Sequence, residues 1–114
     1  MKRILTGSTY GKNIPVDATN VSISTTLIHR ATQDIQTYDE LWLYAINSSA
    51  SNVELTLLWG GTTSDDYIKE TIGTSCGLFL VVPGLLLQNN LEIRAIADTT
   101  AVINVNGFVN RITV

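Results

Sequence analysis

The sequence predicts an all-β fold, an antiparallel β-sandwich of jelly-roll or immunoglobulin-like topology with about seven or eight strands and an extended N-terminal arm. Three observations predict it. Bulky apolar residues recur with a period of two over several short stretches, as in LWLYAI (41–46), VELTLLW (53–59) and LEIRAIA (91–97). Clusters of Gly, Pro, Asn, Asp and Ser punctuate those stretches at the spacing of a sandwich. No stretch repeats with the 3.6-residue period of an amphipathic helix. The 114 residues fit a single domain, read as an arm over residues 1–20 and one sandwich over 21–114.

The central stretch, 41–59, reads LWLYAINSSASNVELTLLW. Leu41, Leu43 and Ala45 point one way and Trp42, Tyr44 and Ile46 the other. Beyond a loop over 47–52, Val53, Leu55, Leu57 and Trp59 share a face, which predicts an antiparallel hairpin with a long loop. Such a hairpin is marginal alone and needs further strands on its apolar face.

Taken in order, residues 1–20 are rich in turn-formers, among them Gly7, Gly11 and Pro15. They suit either a terminus packed on its own domain or an arm that orders against a neighbouring subunit, with Tyr10 and Ile14 as anchors in both cases. VSISTTLIHR (21–30) is β-branched and alternating, hence a strand. His29, the one histidine, sits beside Arg30 and reads as a surface residue. ATQDIQT (31–37) is a polar connection. After Gly60 and Gly61, TTSDD (62–66) is a solvated loop, and YIKETI (67–72) resumes a strand. LFLVV (78–82) is a continuous apolar run, either buried on both faces or an edge that meets another chain. Pro83–Gly84 reads as a turn. In 91–97, Leu91, Ile93, Ala95 and Ala97 face inward. A last strand covers 101–114, with a bulge expected at Gly107.

Composition excludes several functions. Charged residues are 15% of the chain, against about 25% in an average domain, so part of the exterior is expected to be uncharged or covered by a partner. The net charge of −3, with scattered basic residues, argues against nucleic acid as a partner. No apolar run reaches the roughly 18 residues of a membrane helix, and the N-terminus lacks the roughly 7–15-residue core of a signal peptide. A membrane partner is therefore not expected, and neither is export by the ordinary route. The lone Cys76 rules out an intrachain disulfide and reads as a small buried hydrophobe. Asp65, Asp66 and Glu70 lack a calcium-loop pattern. No nucleotide, zinc-hydrolase, nucleophile-elbow or CxxC motif occurs. No catalytic residue, cofactor or metal is expected.

From residue 38 to 110 the chain resembles small structural proteins of tailed bacteriophages. The resemblance rests on LWLYAINSSASNVELTLLW followed by LLLQNNLEIRAIADTTAVINVNGFV. It rests on the order of strands and turns rather than on chemical groups. It implies a β-sandwich component of the virion: a head decoration or cement protein bound outside the capsid, with the major capsid protein and two further copies of itself, as a homotrimer, for partners. The alternatives it leaves open are a tail or adaptor part and a carbohydrate- or receptor-binding module. Because aromatic residues are enriched at interface centres, the candidate contact residues are Trp42, Tyr44, Trp59, Phe79 and Phe108, beside Tyr10 and Ile14 of the arm.

Overall fold

The computed structural model describes residues 1–75 and 77–113; Cys76, the expected buried hydrophobe, lies outside them. Apart from one 3₁₀ turn, every regular element among the described residues is a strand. In chain order these are β1 (Lys2–Arg3), β2 (Ile14–Pro15), β3 (Thr26–Arg30), β4 (Thr37–Asn47), β5 (Val53–Trp59), β6 (Tyr67–Ile72), β7 (Phe79–Leu87), β8 (Glu92–Ala97) and β9 (Ile103–Thr113). One sheet runs β1-β9-β4-β7, with β2 also on β9; the other runs β3-β8-β5-β6. All pairs are antiparallel.

Beyond β2 each strand passes to the opposite sheet, except for the β5–β6 hairpin. This interleaving is the jelly-roll arrangement rather than the immunoglobulin one, in which consecutive strands pair within a sheet more often. It also corrects the expected 41–59 hairpin. β4 pairs with β7 and β9, and β5 with β6 and β8, so the two strands face each other across the core. Asn47 makes the crossing. Its side-chain N–H group donates to the carbonyls of Ser51 and Ile72 at 2.8 and 2.9 Å, and its Oδ1 accepts from the Ser49 amide. These bonds hold the corner open instead of letting the chain fold back in one sheet.

Alternation fills the space between the sheets. Leu41, Leu43 and Ala45 from one sheet meet Leu55, Leu57, Ile93 and Ala95 from the other, all within 1% exposure. A fully buried side chain of this size stabilises the fold by about 1.5–3 kcal/mol.

Three other expectations change. Residues 21–24 form a turn, because the Asn20 carbonyl accepts the Ile23 and Ser24 amides and its side chain accepts from Ser22. That local bonding outcompetes the β-branched preference for a strand. Pro83–Gly84 lies within β7, not between strands: the register with β4 skips from Leu41↔Leu85 to Trp42↔Pro83. β7 is paired on one side only, and an edge is where a residue without an N–H is tolerated. Gly107 makes no bulge. The β4–β9 register runs unbroken through Leu43↔Gly107.

The N-terminal segment is extended and laid along its own sandwich. Lys2 and Arg3 pair with Asn110 and Val109, and Ile14 pairs with Val105. Leu5, Ile14, Val16 and Ala18 are buried.

Candidate interaction face

β4 presents two rows. Thr37, Asp39, Leu41, Leu43, Ala45 and Asn47 are buried, while Tyr38, Glu40, Trp42, Tyr44 and Ile46 form a half-buried outer row. Register sets what lies beside that row. Trp42 stands between Phe108 of β9 and Pro83 of β7; Tyr44 lies beside Leu80, Glu40 beside Leu86, and Tyr38 beside Ile112. Leu80, Leu86 and Ile112 are 42%, 51% and 38% exposed, so an open apolar band runs along the β4–β7 side of this face, while Asn110, Asn106 and Asn104 of β9 lie beside Glu40, Tyr44 and Ile46.

The band is ordered at its centre. The Trp42 and Phe108 rings stack with centroids 6.2 Å apart and planes 9° from parallel. Trp42 Nε1 donates to Glu40 Oε1 at 2.9 Å, so its one polar atom is satisfied and the ring face stays apolar. Lys2 Nζ sits 5.2 Å from the Phe108 centroid. Gly84 adds flatness, since a Cβ there would lie 3.2 Å from the indole. At the end of the band Tyr38, Leu86, Leu87, Gln88, Asn89 and Leu91 line an open hollow of about 340 Å³.

The outside of the second sheet is chemically different. Arg30, Glu92 and Arg94 form an ion-pair chain there, and Lys69 pairs with Glu54 at 3.9 Å. Hydrogen bonds from Arg30 and then Arg94 hold the Glu92 carboxyl below its usual pKa. A hollow of about 170 Å³ on this side is lined by Glu54, Thr56, Tyr67, Lys69 and Asp98. The first sheet therefore carries an apolar band on its outside, and the second carries the ion pairs.

Of the candidate contact residues, Trp42, Tyr44 and Phe108 come together on the apolar band. Trp59 and Phe79 instead pack against the core, and Ile14 is inside it. Tyr10 is 94% exposed and stands apart, in a turn closed by the Lys12 amide on the Thr9 carbonyl. The 78–82 run, offered as either a buried strand or an edge, lies on the edge strand β7 and brings Leu80 to this band. Sequence reasoning missed Pro83, Leu86 and Ile112, because it ended that strand at the Pro83–Gly84 turn signal.

It also missed a buried polar cluster. His29, expected at the surface, is 1% exposed, and Asp39 is 0% exposed. The His29 ring bonds Asp39 Oδ2 through Nε2 at 2.8 Å, while Nδ1 accepts the Thr6 amide at 3.1 Å. Arg111 grips Asp39 with Nε at 2.7 Å and Nη2 at 2.9 Å, and the Thr32 amide adds 3.0 Å. Burial opposes the Asp39 carboxylate, but the bonds from Arg111 and His29 prevail and hold its pKa below 3.8. The parity of Asp39 with Leu41 and Leu43, and of Arg111 with Val105 and Val109, is the signal that could have found this pair. With the ring buried and both nitrogens engaged by the protein, His29 is not presented to a bound molecule as a base.

No family model, no curated protein and no solved structure matches this chain.

Proposed function

We propose that this protein is a structural, non-catalytic binding module whose apolar β1-β9-β4-β7 face docks on other proteins. In its most specific form it is a decoration or cement protein of a tailed-bacteriophage head, assembling as a homotrimer on the major capsid protein. One observation carries the reading: the contiguous outer band of Trp42, Phe108, Tyr44, Pro83, Leu80 and Leu86, set opposite the ion pairs of the second sheet. Bands of this kind mark association surfaces, and a stacked aromatic centre with few charges matches the middle of a protein interface. The jelly roll is an architecture used by viral capsid proteins and by lectins, which supports the reading by analogy only. The phage assignment itself rests on the resemblance of residues 38–110. Adhesion would come from buried apolar area, multiplied by many copies on one shell.

Co-sedimentation with heads that lack the protein tests it. Wild-type protein should pellet with the heads, and Trp42→Ala should stay in the supernatant. Wild-type protein that remains wholly soluble overturns the head reading. Mass measurement in solution tests the trimer separately.

The carbohydrate-binding alternative has one observation in its favour, the Tyr67 hollow with Glu54, Lys69 and Asp98 around it. An aromatic ring beside hydrogen-bonding groups suits a sugar. Glycan binding that Tyr67→Ala abolishes and Trp42→Ala leaves intact would favour it.

A further inference from the structure

We propose that His29 is an acid-sensitive latch holding residues 1–8 onto the sandwich, independently of what the apolar face binds. The geometry of the ring makes the case. The Thr6 amide can only donate, so Nδ1 must carry a lone pair, and Nε2 must carry the ring proton that goes to Asp39. The neutral ring is thus fixed in one tautomer with both nitrogens satisfied. A second proton has one place to go, Nδ1, where it would point at the Thr6 N–H. Two donors would then face each other, so the imidazolium and the Thr6 bond exclude one another.

The one anion against the ring, Asp39, is shared with other donors. Asp39, from β4, is already held by both Arg111 of β9 and the Thr32 amide. Arg3, from β1, adds a further positive charge. On the β8 side the register neighbour is Ile93, which is apolar. Arg30, next along β3, turns outward to Glu92. In the following connection, Asp34 is occupied by the Gln36 amide and the Thr37 hydroxyl. Burial lowers the His29 pKa below 6.5, with Arg111 and Arg3 adding to it against the pull of Asp39.

Thr6 is the centre of the attachment. Its Oγ1 accepts the Arg30 amide at 2.6 Å, and the next residue, Gly7, donates to the Ile28 carbonyl at 2.9 Å. Before it, β1 is the two-residue strand Lys2–Arg3, exposed bonds join Met1 to Asn110 and Arg111, and Leu5 is the one core side chain of the segment. Beyond it, the turn closed by Ser8 Oγ on the Lys12 carbonyl is exposed and contains Gly11 at φ +89°. Ile14 and Val16 are then tied to β9 by bonds that do not involve His29. Protonation therefore loosens residues 1–8 about that turn and leaves the sandwich closed.

The chain has one histidine, so its imidazole signals in an NMR titration are unambiguous. The test follows those signals together with amide-exchange protection factors on the wild-type protein from pH 8 to the acid limit of folding. At neutral pH the nitrogen shifts should report the Nε2–H tautomer. Below about pH 6.5 the protection of Thr6 and Gly7 should fall by up to about tenfold per pH unit until the imidazole has titrated. Leu57 and Val105 in the core should stay more strongly protected than Thr6 at every pH. Thr6 protection that is unchanged across the imidazole titration overturns the latch. So does an Nδ1–H tautomer, or Thr6 protection no lower than that of the core, which would mean that both exchange by one global unfolding rather than by release.

Discussion

Gly107 lies so close to Trp42 that a Cβ at position 107 would overlap the Trp42 carbonyl oxygen. The unbroken β4–β9 register depends on that approach, and with it the stacking of Trp42 on Phe108 one residue further on. Gly107 also sits at φ +152°, where L side chains are strained.

Gly107→Ala should therefore destabilise the fold by about 2–4 kcal/mol, combining overlap with backbone strain. Gly11→Ala is the comparison: φ is +89° but nothing lies within 4 Å of the added methyl, so about 1–2 kcal/mol is expected. Urea midpoints for the two variants check this, and equal losses would contradict the close-approach account.

Removing Asp39 should cost far more than removing Glu92. Asp39 is fully buried between His29 and Arg111, and truncating one member of a buried pair costs about 3–5 kcal/mol. Glu92 pairs with Arg30, whose side chain is 53% exposed, so Glu92→Ala should cost less than about 1 kcal/mol. Denaturant unfolding of Asp39→Ala and Glu92→Ala measures the contrast.

Stability should fall in two steps with acid. His29 has a folded pKa below 6.5, so the unfolded chain binds its proton first. That contribution is full above about pH 6.5 and is lost as pH falls from there toward the folded value. Asp39 also has a lowered folded pKa, so its contribution is present above about pH 3.8 and is lost as pH falls below that toward its folded value. A Tm that stays flat from pH 7 to the bottom of the His29 titration would contradict the first step.

Leu86→Lys should separate association from folding. The side chain is 51% exposed on the edge strand, so stability should change by no more than about 0.5 kcal/mol. A lysine placed in the apolar band must be desolvated on docking, and about a tenfold or greater loss of binding to heads or of self-association is expected. Sedimentation measures both, and unimpaired association would move the docking surface elsewhere.

The legible part of this protein is its alternation. The outward phase of Trp42, Tyr44 and Phe108 follows from counting residues along β4 and β9, and those three do meet on one face. The same counting puts Trp59 in one row with Val53, Leu55 and Leu57, and it packs against the core with them; Phe79 starts β7, where parity says little about cover. Pro83–Gly84 carries the signature of a turn, yet β7 runs through it because its free edge demands no hydrogen bond from Pro83.

The amino-acid sequence by itself determined an all-β chain and the two faces of β4, β5, β8 and β9, because a period of two is a local property of extended backbone. The tertiary structure alone decided that β4 and β5 oppose rather than pair, that His29 is buried on Asp39, and that Gly107 is a contact point with Trp42. Each of these depends on which distant strand comes alongside. An alternating pattern is satisfied equally by a neighbour in the same sheet and by a partner across the core, so only the assembled packing distinguishes them.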